Sequence, residues 1–116
     1  MKEFLLIIRT EGDIWTSLSP EKLQDHLQHG TAYISRLMKE GHIKSGQPVD
    51  KGSRIVTEDN GIIKDGPFNE SKEVIAGYFH IVAGSMDEAV SIAKANPIFH
   101  DIPTKIEVHP LKEIPQ

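Results

Sequence analysis

The sequence predicts an α+β domain in which an antiparallel sheet carries two helices on one face and a β-hairpin is inserted before the longest strand. Three observations carry this. Extended and helical periodicities follow one another in the order strand, helix, strand, hairpin, strand, helix, strand. Two of the extended runs, Phe4 to Ile8 and Glu73 to Val82, are apolar on both faces, as interior strands are. Each helical segment has a single apolar stripe, which one shared sheet face would bury.

Phe4-Leu5-Leu6-Ile7-Ile8-Arg9 reads as the central first strand, and a polar loop follows it. Ser19-Pro20-Glu21 supplies an N-cap, a proline at the first helical position and an acid in the first turn, so a helix begins there. Leu23, Leu27, Gly30, Ile34, Leu37 and Met38 form its stripe over about five turns, and Gly41 is the expected stop. His42 to Gly46 and Arg54 to Thr57 are short extended runs set off by Gly46, Pro48 and Gly52. Asn60-Gly61, where both residues tolerate positive φ, predicts a tight turn joining Arg54–Thr57 to Ile62–Lys64. In the long run, Val74, Ala76, Tyr78, His80 and Val82 share one face, and Ile75, Gly77, Phe79 and Ile81 the other. Ser85-Met86-Asp87-Glu88 fits a capping box, and Ala89, Ile92 and Ala93 give a core stripe until Asn96-Pro97 ends the helix. Lys105-Ile106-Glu107-Val108-His109 alternates until Pro110 stops it, a last strand with one wet face.

With 116 residues the chain is expected to form a single domain over residues 1–116, and no third layer remains to cover the far face of the sheet. The expectation is a ferredoxin-like sheet that pairs with a second copy across that open face, a dimeric α/β-barrel. Hydrophobic residues at 38% and charged residues at 26% are the composition of a folded chain. A net charge of −4 opposes phosphate neutralisation, so no nucleic-acid partner is expected. Cysteine is absent, which excludes disulfides, thiolate nucleophiles and iron–sulfur ligation. The longest apolar run, Phe4 to Ile8, is too short for a membrane span or signal core, so a cytoplasmic protein without membrane association is expected. No P-loop, dinucleotide glycine fingerprint or nucleophile elbow occurs, and no cofactor is expected. His26, His29, His80, His100 and His109 are tied to no acidic ligand motif, so no metal is expected either.

Lys64-Asp65-Gly66-Pro67-Phe68, followed by Glu70-Ser71-Lys72-Glu73-Val74-Ile75-Ala76-Gly77-Tyr78-Phe79, resembles the signature of the YCII-related family, specifically its DGPF branch. Met1 to Arg9, Ser19-Pro20-Glu21, Gly41 to Pro48 and Ser85-Met86-Asp87-Glu88-Ala89 extend the resemblance over almost the whole chain. It implies a ferredoxin-like α+β fold and dimerisation, in agreement with the pattern argument. It implies no single reaction, since one relative is a dehydrochlorinase and some DGPF proteins are linked with extracytoplasmic-type sigma factors. The short branch of the family is discussed in terms of a helical His partnered by an Asp. Here that register falls at Gly30, between His26 and His29, and Asn96-Pro97 stands where Asp-Pro is usual. The dyad is therefore not expected to carry over.

His26 lies on the border of the first helix's stripe, on the same side as Tyr33, and is the leading candidate for a general base. The same position suits an amphipathic packing residue. His29, one turn from Asp25, reads as a surface pair. Asp65 can close an Asx-type turn or orient the base, Gly66 permits a φ closed to other residues, and Phe68 can plug the core or rim a pocket. Lys72 is either a solvated charge or the attractor of an anionic substrate group. Tyr78 and His80 share a strand face and can line a cavity with Tyr33, although an interior, hydrogen-bonded histidine is an equally simple role for His80. Trp15 and Phe99 read as loop anchors.

Two function classes fit these residues. One is a cofactor-independent lyase or isomerase that moves a proton on a small anionic or carbonyl compound, with His26 as base, Asp65 and Lys72 orienting, and Tyr33, Phe68, Tyr78 and His80 lining the site. The other is a noncatalytic dimeric module that binds a ligand or regulates a partner.

Overall fold

The computed structural model describes residues 1–66 and 72–115. In chain order it contains β1 (Lys2–Glu11), a one-turn helix α1 (Ile14–Ser17), α2 (Pro20–Lys39), β2 (Ile43–Pro48), β3 (Val56–Asp59), β4 (Ile62–Asp65), β5 (Glu73–Ala83), α3 (Met86–Lys94), a short 3₁₀ turn (Pro97–His100) and β6 (Thr104–Pro110). The main sheet runs β2-β5-β1-β6, with every neighbouring pair antiparallel. β5 lies between β1 and β2, and β1 lies between β5 and β6, so α2 and α3 each close a split βαβ unit. The expected α+β architecture is present. The four-stranded sheet is open, and a single chain closes no barrel.

Local hydrogen bonds explain the helix limits. Ser19 Oγ accepts from the Lys22 amide at 3.3 Å to start α2. At its end Gly41, with φ at +75°, lets the His42 amide reach the Leu37 carbonyl and its own amide reach that of Met38, a Schellman closure. In α3 the Ser85 hydroxyl accepts from the Glu88 amide, while the Glu88 carboxylate reaches back to the Gly84 amide. Both helices pack on the same sheet face: Phe4, Leu6 and Ile81 meet Tyr33 and Leu37 of α2 and Ala89 and Ile92 of α3. Leu37 is 1% exposed, and burying such a side chain stabilises by about 1.5–3 kcal/mol.

Three features depart from the expected pattern. The loop after β1 contains α1, capped by Asp13, whose carboxylate accepts from the Trp15 amide, and Ile14 anchors it in a second apolar cluster with Ile8, Ile98 and Ile102. A bulge interrupts β5: Ile8 pairs with Gly77 but Arg9 with Ile75, so Ala76 is an extra residue. Ala76 packs into the second cluster, and the strict alternation expected for Val74 and Ile75 is broken there. Third, β3 and β4 form their own two-stranded sheet. The Asn60-Gly61 turn has φ values of +52° and +80°, as its sequence predicts. Val56, Ile62 and Ile63 on this hairpin remain exposed, and the radius of gyration of 16.2 Å exceeds the roughly 13 Å of a compact domain this size.

Candidate functional site

A cavity of about 460 Å³ opens between α2 and the β2–β5 side of the sheet. Its walls include Leu27, Ile34 and Met38 from α2, Ile43 from β2 and Phe79 from β5. Leu27 and Met38 belong to the predicted buried stripe, yet they are 43% and 64% exposed because their part of the stripe faces this space rather than a packed neighbour. Glycines shape it. A Cβ on Gly30 would meet nothing within 4 Å, so the helix leaves room at that point. On the β2 side, a Cβ on Gly46 would lie 2.4 Å from the Phe79 ring, so only glycine lets that ring lie against the β2 backbone.

His26 lines the cavity and its Nδ1 lies 2.7 Å from Oδ2 of Asp101. Both side chains are largely covered, at 16% and 18% exposure. Asp101 is held by the turn that follows α3. Asn96, buried, accepts from the Ile98 amide at 3.0 Å, and the Asp101 amide donates to the Ile98 carbonyl at 3.0 Å. Ile98 and Ile102 then pin the turn to the second apolar cluster on either side of Asp101. Because a carboxylate only accepts, Nδ1 donates in this pair, and in the neutral form of the ring the lone pair is on Nε2. Asp101 is the only described residue paired with the ring, so Nε2 is the nitrogen free for a ligand.

The family resemblance supplies no His–Asp pair at Gly30 and Asn96; the structure instead brings together His26, one helical turn before Gly30, and Asp101, beyond the 3₁₀ turn. The sequence reading missed Asp101. The only local signal is the pair Ile98 and Ile102, whose spacing of four brackets an acid in a turn that both residues bury.

The other candidate residues divide between several places. The Tyr33 ring borders the cavity, but its hydroxyl donates to the Ile92 carbonyl at 2.6 Å, tying α2 to α3. Burial pushes that phenol up to about 12, against the opposing charge of Arg36, so it stays protonated. Tyr78 also borders the cavity, although strand alternation with the inward Phe79 sends its side chain to the open sheet face. His80 is on that open face, where its Nε2 lies 2.7 Å from Glu3. Asp65 is at the end of the hairpin in an exposed pair with Arg54 at 2.6 Å, and Lys72 is exposed before β5; neither lines the cavity. Phe68 lies outside the described residues. His29 is exposed on α2. Among the described residues no three His, Cys, Asp or Glu side chains converge as metal ligands.

Charge is concentrated on the open sheet face. Lys44 and His80 both contact Glu3, and together they hold its carboxyl below the ordinary range, Lys44 contributing most. Arg9 and His109 do the same for Glu107, Arg9 first. No helix among the described residues is long and apolar enough to cross a membrane.

No curated protein matches the chain. The sequence profile of the YCII-related domain, by contrast, matches residues 1–114. That span holds the split βαβ sheet, the cavity and both members of the His26–Asp101 pair, and the chain belongs to the YCII-related family.

Proposed function

We propose that the protein is a cofactor-independent proton-transfer enzyme of the lyase or isomerase type acting on a small carbonyl compound. The observation that carries this reading is the His26–Asp101 pair at the cavity wall, with Nε2 unengaged. Nε2 takes a proton from the carbon next to the carbonyl, and the electron pair of that C–H bond moves into the carbonyl as an enolate. The Asp101 carboxylate stabilises the imidazolium that results and keeps the ring in position. The proton then returns at another carbon, which isomerises the substrate, or a group departs from the neighbouring carbon, which completes an elimination. The mostly apolar walls reduce the water around the dyad and so strengthen its electrostatics.

In this reading two copies pair across their open sheet faces, where Leu5 and Ile7 are half-buried and Ile75 and Tyr78 exposed in one chain. A cysteine-free chain is suited to the cytoplasm. The test is hydrogen–deuterium exchange at the α-carbon of small neutral ketones in D₂O, followed by NMR. The wild-type protein should accelerate exchange, and His26→Gln should lose about 10²–10⁴-fold of that acceleration. Equal rates for the two proteins would overturn the proposal in favour of a noncatalytic binding module.

A further inference from the structure

Resting on the same site, we infer that the cavity selects an uncharged ligand with an apolar body and one carbonyl or hydroxyl group, and rejects anionic compounds. Its volume of about 460 Å³ lies within the range of small-molecule sites. Among the described lining residues, His26 and Lys44 are the ones that can carry charge near neutral pH. Lys44 is already spent: its Nζ lies 2.9 Å from Oε1 of Glu3, on the far face of the sheet with His80. At the other end, Asp101 stands directly behind His26, so the dyad with a neutral imidazole carries one negative charge. An anionic group placed against Nε2 of the neutral ring would meet a lone pair backed by a carboxylate, and the described lining, whose polar groups besides Lys44 and His26 are neutral ones such as Ser45 and Gln47, offers it no unpaired cation. An unpaired charge against such mostly apolar walls gives up hydration that no free cation there replaces. A neutral carbonyl compound escapes both penalties, and its acidic C–H or a hydroxyl proton can approach Nε2 directly. The open space at Gly30 gives the apolar body its place. Lys72, the cation with which the sequence reading attracts an anion, does not line this cavity.

The experiment compares two probes of the same bicyclic skeleton, 2-acetylnaphthalene and 2-naphthoate, by calorimetry at pH 7.5. The ketone should bind once per chain and at least tenfold more tightly than the carboxylate. Gly30→Leu, which fills the open space while favouring helix, should weaken the ketone tenfold or more with an unchanged circular dichroism spectrum. Lys44→Met should leave the preference between the probes unchanged, because its amine serves Glu3. Shifts of the Leu27 and Met38 methyl resonances on adding ketone give an independent readout of its location. Naphthoate binding as tight as the ketone's, undiminished ketone binding by Gly30→Leu, or no saturable binding of the ketone would each overturn the inference. Ketone binding without His26-dependent exchange removes the acid–base reading and leaves the ligand class standing. His26-dependent exchange on a carboxylate-bearing compound does the reverse.

Discussion

Nδ1 of His26 and Oδ2 of Asp101 are 2.7 Å apart although 75 residues separate them in the chain. The contact joins the first turns of α2 to the segment just after α3, so the two helices that cover the sheet also assemble the dyad. The histidine also lines a cavity whose other described walls are mostly apolar.

Asp101→Asn preserves the size of the acceptor but allows the amide to present either end to the ring, so the tautomer is no longer set by charge. Ketone exchange should fall by about 100-fold or more, while ketone affinity changes little, since the walls are untouched. Exchange kinetics and calorimetry on the same variant separate the two effects.

Gly46→Ala places a methyl group where the Phe79 ring lies, 2.4 Å from its nearest carbon. The backbone of β2 or the ring must move, at a cost of about 1–3 kcal/mol. Urea denaturation should show that loss, and the cavity should change shape with the displaced Phe79.

These residues also show what was legible in advance. Ser19, Gly41 and Ser85 act on amides within a few residues, so the limits of α2 and α3 can be read from the chain alone. Periodicity identifies Leu27 and Met38 as one apolar stripe with Leu37, but it cannot distinguish a stripe that packs from one that faces a cavity. The bulge at Ala76 is hidden because one extra residue in an apolar run leaves the composition unchanged. Asp101 was missed for a different reason: its partner is set by a 3₁₀ turn and two isoleucine anchors, and none of these specifies a long-range contact locally.

The carboxyls of Glu3 and Glu107 are held below their ordinary value of 4.5, mainly by Lys44 and Arg9. A lowered folded-state value means that these pairs contribute fully above 4.5 and lose their contribution as the pH falls through the folded-state values. Both groups are exposed, so the effect is modest. Stability measured between neutral and acid pH should decline less steeply in the double variant Glu3→Gln, Glu107→Gln than in the wild type.

Pairing through the open sheet face gives a mass of twice 12.9 kDa in light scattering at micromolar concentration. Ile7→Lys puts a charge at the centre of that face, opposite Tyr78, and should shift the mass toward the monomer with the fold retained. A wild-type mass of 12.9 kDa would remove the dimer from the proposal.

The state of the His26 ring can be read directly from long-range ¹H–¹⁵N correlation spectra of the protein labelled at histidine. Above the imidazole titration, the expected pattern is a protonated Nδ1 and an unprotonated Nε2, with Nε2 shifting when 2-acetylnaphthalene is added and the pattern lost in Asp101→Asn. A protonated Nε2 in the wild-type protein, or an Nε2 signal indifferent to the ketone, would contradict a base poised at the cavity wall.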